Sequence, residues 1–108
     1  MNCYECTFIA KQGLSDSQAK KLIEKYEKII KTNSGEVLKT EKWGLRILSN
    51  RIKNNKKGFY FHIKFKGIEK TIKELKKVQN IDAALIRYLT VKVKKHDLKT
   101  IYFAKKDS

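Results

Sequence analysis

Two helices lying on one face of a four-stranded antiparallel sheet are expected from three features of this 108-residue chain. Apolar and aromatic residues alternate with polar ones in runs that begin near Cys3, Phe59 and Ile86. Two other runs, after Ser15 and from about Glu69, repeat their apolar residues at helical spacing. A long strand-like stretch, Glu36 to Lys53, stands between the first helix and the aromatic strand. A period of two marks a strand and a period of 3.6 marks a helix. The order β-α-β-β-α-β is the split βαβ, or ferredoxin-like, arrangement of the α+β class. Right-handed crossovers then make the first and third strands central. The strand from Val37 takes one edge and the strand from Arg87 the other.

Each element follows from its residues. Cys3 to Ala10 alternates around Tyr4, Cys6 and Phe8, and Gln12-Gly13-Leu14 breaks that strand. Ser15 caps the first helix, with Gln18 at the capping-box position. Ala19, Leu22, Ile23, Tyr26, Ile29 and Ile30 form its apolar face. Asn33-Ser34-Gly35 ends it, with Gly35 expected as a left-handed cap. Trp43-Gly44 predicts a bend or bulge midway along the next strand. Lys53-Asn54-Asn55-Lys56-Lys57-Gly58 is expected as a lysine-rich turn. Phe59 to Lys66 then turns Phe59, Phe61, Ile63 and Phe65 to one face and Tyr60, His62, Lys64 and Lys66 to the other. The second helix, about Glu69 to Asn80, turns Ile72, Leu75 and Val78 inward. Ile86 to Lys94 is the last strand. Residues 1–94 are expected as one domain, and 95–108 as a flexible basic tail with an apolar knot at Ile101-Tyr102-Phe103.

The charge points to a polyanion. The chain carries 26 basic and 11 acidic side chains, net +15. Residues 1–50 hold nine basic and six acidic groups, and residues 51–108 hold seventeen and five. Lysine outnumbers arginine 23 to 3, a bias that codon usage alone would give, but codon usage does not place the excess in one half. A basic half is the footprint of a nucleic-acid partner. Neither predicted helix has the purely cationic polar face of a membrane-surface helix. No apolar run is long enough to span a bilayer, and MNCYECTF has no signal-peptide pattern, so a cytoplasmic protein is expected.

Nothing in the chain composes a catalytic or metal site. Cys3-x-x-Cys6 lacks the second ligand pair zinc needs, and it lies on a strand where positions three apart face opposite sides. His62 and His96 have no nucleophile or acid at a recognisable spacing. Glu5 and Glu41 are expected as ion-pair partners on lysine-rich strands. A ferredoxin-like hydrolase of the acylphosphatase kind needs an arginine in an anion-cradling loop after the first strand, and Lys11-Gln12-Gly13-Leu14 has none. No enzyme activity, cofactor or small-molecule substrate is therefore expected. The alternative is an RNA-recognition motif binding single strands by stacking, since Lys57-Gly58-Phe59-Tyr60-Phe61 is similar to its third-strand signature. Against it, Tyr60 fills the small-residue position, Lys64 stands where an aromatic is needed, and Phe59 and Phe61 share parity with the core residues Ile63 and Phe65.

The chain resembles the S-six family of bacterial small-subunit ribosomal proteins. The residues that carry the likeness are Met1, Tyr4 and Glu5, then Gly35-Glu36-Val37, Trp43-Gly44-Leu45-Arg46, Lys53 with Gly58, and Arg87-Tyr88-Leu89-Thr90-Val91. It runs from residue 1 to about 94. Ile47 and Asn50 depart from the family, which usually has a polar or basic residue and a tyrosine there. The resemblance implies a structural role in the platform of the small subunit. It implies binding to 16S-type ribosomal RNA as a heterodimer with a ribosomal protein of the S-eighteen family. For the protein partner it points to the edge strand at Glu41, Lys42, Trp43 and Arg46, whose charges would also discourage self-pairing. For RNA the expected contacts are Asn2, Lys53, Lys56, Lys57, Arg87, Lys92 and Lys94. Arg87 can fork onto a phosphate, while the lysines act as point charges. Tyr88 either stacks or packs. Lysines on the helices, such as Lys20, Lys28 and Lys73, read as solvated.

Overall fold

A computed structural model describes residues 1–94 of the chain. The expected tail, 95–108, lies outside the described residues. The elements are β1 (Asn2–Lys11), α1 (Asp16–Thr32), β2 (Glu36–Ile52), β3 (Asn55–Gly67), α2 (Glu69–Ile81) and β4 (Leu85–Val93). Among the described residues the strands form one antiparallel sheet in the order β2-β3-β1-β4. This is the ferredoxin-like arrangement, with the first and third strands central.

The alternation of β1 and β3 builds the core. Tyr4, Cys6, Phe8 and Ala10 join Phe59, Phe61, Ile63 and Phe65 under Ala19, Leu22, Ile23, Tyr26 and Ile30 of α1 and Leu75 of α2. Phe8 and Phe61 are directly opposite in register and stack at 4.4 Å between ring centres. Such an aromatic pair adds about 0.5–1.5 kcal/mol beyond its buried area. The capping box forms as expected. The Gln18 amide donates to Ser15 Oγ at 3.2 Å, and the Ser15 amide donates to Gln18 Oε1 at 2.9 Å. The bulge forms too, with Gly44 at φ +89° where the β2–β3 register shifts.

Three local expectations are corrected. At the end of α1 the left-handed residue is Ser34, at φ 67°, not Gly35. Gly35 is needed for space instead. A Cβ there would lie 2.6 Å from Ile30 Cγ2 and 2.7 Å from the Ile30 carbonyl oxygen, which accepts from the Gly35 amide. The hairpin turn is only two residues, Lys53 and Asn54, with φ of 48° and 65°, the primed geometry that matches strand twist. Lys56 and Lys57 therefore belong to β3 and point to opposite faces. On α2 the fully buried line is Thr71, Leu75 and Gln79, while Ile72 and Val78 are only partly covered. Hydrogen bonds make this possible, because a buried polar group must find partners. Thr71 Oγ1 donates to the Asn33 carbonyl at 2.6 Å and accepts from the Ile68 amide, and Gln79 Nε2 donates to Cys6 Sγ at 3.3 Å.

Candidate nucleic-acid interface

The seven expected RNA-contact residues fall into two groups rather than one. At the hairpin end, Lys53 is exposed at the turn, and Lys56 and Lys57 follow on β3. Arg87 lies towards the same end of the sheet, two strands over at the level of Tyr60, since it opposes Ile9 and Ile9 opposes Tyr60. The loop after β1 holds the hairpin base. The Gln12 amide donates to Asn55 Oδ1, and the Lys57 amide donates to Gln12 Oε1, each at 3.2 Å. At the other end, Asn2, Lys92 and Lys94 line one shallow depression together with Met1 and Cys3. Arg87 and Lys92 are five strand positions apart, about 17 Å, and an odd spacing turns them to opposite faces. Tyr88 packs against the core, and its hydroxyl bonds Asn80.

The face of the sheet away from the helices is not a simple wet surface. Glu5, Glu41, His62 and Lys64 are all buried there. Trp43 stacks over His62 at 5.3 Å and 8°. His62 Nε2 lies 3.2 Å from Glu5 Oε1, and its Nδ1 lies 2.9 Å from Thr7 Oγ1. A carboxylate can only accept, so Nε2 carries the proton and Nδ1 accepts from the threonine hydroxyl. Burial lowers the His62 pKa more than its carboxylate neighbours raise it, so the ring is neutral at pH 7. Glu41 Oε2 lies 3.8 Å from Lys64 Nζ, and Trp43 Nε1 donates to Glu41 Oε1. The expected ion pair of Glu41 is thus met by Lys64 inside a buried cluster, whereas Glu5 accepts a hydrogen bond from the neutral His62 ring. Beside it on β4, Leu89 and Val91 are exposed, opposite Thr7 and Glu5.

The four expected partner residues are likewise divided. Glu41 and Trp43 belong to the buried cluster, so Glu41 is not a solvated edge charge. Lys42 turns to the helix side, 5.7 Å above the Phe59 ring. Arg46 is exposed on β2, opposite Gly58. Leu45 and Ile47, exposed on either side of it, add apolar area to this edge.

Sequence periodicity gives no sign of Arg51, Leu89 or Val91 as surface features. Arg51 joins Arg87 at one pocket only because the β2 register shifts beyond Ile47. Leu89 and Val91 look like ordinary strand residues until the strand order shows one face without helices. Both cysteines are free. Cys6 is buried, and burial pushes its thiol up to about 11, while Cys3 on the opposite face is half-buried. Phe59 and Phe61 face the helices and are buried, so neither can stack on a base. Among the described residues, no three His, Cys, Asp or Glu side chains gather to hold a metal ion. No described helix is long and apolar enough to cross a membrane.

Comparison with known proteins agrees with this architecture. The family model for Ribosomal protein S6 matches residues 3–92. The small ribosomal subunit protein bS6 of Pelagibacter ubique is 54% identical over 107 residues, covering 99% of this chain and 88% of that protein. The protein of the same name from Rickettsia prowazekii is 38% identical over 92 residues, covering 85% and 76%. The crystal structure of 30S ribosomal protein S6 from Thermotoga maritima superposes with a TM-score of 0.81 at 24% identity, covering 98% of this chain and 92% of that one. With the match spanning nearly all the described residues, and with the strand order and core already fixed by these side chains, the chain belongs to the ribosomal protein S6 family.

Proposed function

We propose that the protein scaffolds small-subunit ribosomal RNA jointly with a ribosomal protein of the S-eighteen family. Family membership makes it a structural component of the bacterial small ribosomal subunit in the cytoplasm, not an enzyme. The RNA and protein contacts are the finer reading. The observation that carries the RNA contact is the hairpin. From Lys42 to Gly67 the chain has eight cationic side chains and no acidic one, and β2 and β3 fold that stretch back on itself. Arg46, Arg51, Lys53, Lys56 and Lys57 lie towards the turn, and with Arg87 they make a positive rim at that end of the sheet, whereas Lys64 is buried against Glu41 and Lys66 lies at the far end. Such a rim contacts phosphates, with binding that falls steeply as salt rises. RNA shape, rather than base identity, is what such contacts read.

The β2 edge supports the protein contact. It offers Arg46 near the Trp43 cluster on the helix-free face, with exposed Leu45 and Ile47 turned to the other face of the same edge. Apolar and arginine contacts around a buried aromatic suit a partner interface. The rival reading, base stacking by an RNA-recognition motif, loses its rings to the core.

Co-sedimentation of the tagged protein with small subunits through a high-salt wash tests the proposal. One copy retained per subunit supports it. Arg87→Ala is expected to weaken affinity for ribosomal RNA at moderate salt while leaving the unfolding midpoint unchanged. Unaltered affinity removes Arg87 from the interface. Titration with an S-eighteen-family protein, followed by sedimentation velocity, is expected to give a one-to-one heterodimer that Arg46→Glu weakens.

A further inference from the structure

Arg51, near the end of β2, lines one pocket together with Arg87 of β4. Between Ile47 and Ile52, β2 advances five residues while β3 advances only two, from Lys57 to Asn55. The extra length on β2 brings Leu48 over the sheet. Its Cδ2 comes within 3.4 Å of where a Cβ on Gly58 would sit, and Ile9 Cγ2 comes within 2.5 Å of that same point. Gly58 thus lets Leu48 and Ile9 meet above the strand. The result is a pocket of about 210 Å³ on the helix-free face. Its floor and wall are Ile9, Leu48 and Tyr60, and its polar groups are Asn50, Arg51 and Arg87.

Several observations give this pocket its chemistry. Two of the chain's three arginines line it, and no acidic residue does. Neither guanidinium makes an ion pair with a described residue. Arginine presents a planar fork suited to phosphate oxygens. The volume sets the size of the ligand. Small-molecule sites usually occupy about 300–1,000 Å³, so this pocket is too small for a whole nucleotide with its base.

We propose that Arg51 and Arg87 clamp a single phosphodiester of ribosomal RNA, with its ribose against Tyr60 and Leu48 and its base left outside. Asn50 stands where its side-chain amide can donate to the 2′-hydroxyl or to a phosphate oxygen. The clamp grips backbone and ignores base identity. This inference rests on the RNA-binding reading above and narrows it to one phosphate held by two arginines.

The test compares full-length wild type, Arg51→Ala, Arg87→Ala and the double variant. Each is bound to a small-subunit central-domain RNA over a series of salt concentrations. Each neutralised phosphate contributes about 0.7–0.9 to the slope of log affinity against log salt. If one phosphate is shared, the double variant loses about 0.7–0.9 of slope, and neither single variant loses more. A Lys92→Ala variant combined with Arg51→Ala is expected to be additive, since Lys92 lies at the far end of the sheet. Ribose 5-phosphate added to labelled wild-type protein is expected to shift the Arg51 and Arg87 side-chain NMR signals together. A double variant that loses twice that slope places the arginines on separate phosphates and overturns the clamp. Wild-type binding that the double variant reproduces overturns the clamp while the RNA reading stands. Wild-type protein that binds no ribosomal RNA overturns both. Shifts produced by an acidic peptide but not by ribose 5-phosphate assign the pocket to a protein partner and also overturn the clamp.

Discussion

Lys64 and Glu41 face each other across β2 and β3 at 3.8 Å, Nζ to Oε2, with side-chain exposures of 0% and 6%. They lie on the sheet face that no helix covers. Oε2 has no hydrogen-bond partner, so at this oxygen the attraction is a matter of charge. An ammonium withdrawn from water needs a carboxylate close by, because removing one partner leaves a buried charge uncompensated.

Glu41→Gln keeps an acceptor for Trp43 but removes one carboxylate charge from beside Lys64. It is expected to cost about 3 kcal/mol in urea unfolding. Glu41→Leu combined with Lys64→Met is expected to cost much less than the sum of the single changes. If Glu41→Gln unfolds at the wild-type midpoint, the two groups are not coupled.

His62 makes stability depend on pH. Burial is the main cause that lowers its folded pKa, against the raising effect of Glu5 and Glu41 and with a smaller lowering effect of Lys64. Between the folded pKa and the unfolded value of about 6.5, the unfolded chain binds more protons. The stability contributed by the neutral ring is therefore complete above about 6.5 and is lost as pH falls below it. Urea midpoints at pH 7.5 and pH 5.5 are expected to separate, and His62→Phe is expected to narrow the gap. Proton NMR of the ring places the folded pKa directly. A value above 6.5 refutes the sign.

Asp82 acts in a lower window. Burial alone would raise its carboxyl pKa, but Tyr26, Lys25 and the Ala84 amide all donate to it and hold it below the usual carboxylate range. Tyr26 Oη is 2.6 Å away and Lys25 Nζ 2.9 Å. This carboxylate ties α1 to the loop between α2 and β4. Its stabilisation is present above the unfolded value of about 3.9 and is lost as pH falls through the lower folded value. Asp82→Asn is expected to cost about 1–3 kcal/mol at pH 7, with the difference from wild type shrinking in acid. A constant difference from pH 7 to pH 2 contradicts this.

The exit from α1 separates conformation from space. Ser34→Gly relieves a left-handed residue and is expected to stabilise by up to about 1 kcal/mol. Gly35→Ala pushes a methyl into Ile30 and is expected to destabilise by about 1–3 kcal/mol. Thermal melts of the two variants are expected to move in opposite directions. Destabilisation by both assigns the left-handed role wrongly.

The strand order, the α1 cap and the core faces of β1 and β3 were legible because period and capping chemistry are local. Phe59, Phe61, Ile63 and Phe65 share parity, and parity alone places them under the helices. The hairpin was misjudged because Lys53 and Asn54 take left-handed angles without a glycine, so the turn carries no glycine punctuation. In sequence the inward line of α2 reads as Ile72, Leu75 and Val78, because polar Thr71 and Gln79 are buried through partners, Asn33 and Cys6, that are distant in the chain. The candidate site was the least legible part. Arg51 meets Arg87 through a register shift that no pattern in β2 announces, and the two groups of cations separate only once β4 is laid along β1.

The pairing of Cys3 with Val93 carries a consequence for synthesis. β1 leaves a translating ribosome before the other described elements, yet one of its two neighbouring strands is the last of these to be made. At roughly 5–20 residues per second, β1 waits several seconds with that edge unsatisfied. β2 and β3 are made next, and their hairpin can form quickly around its short turn. The nascent chain therefore holds a local hairpin before its central strand is flanked, and the sheet closes only when β4 emerges.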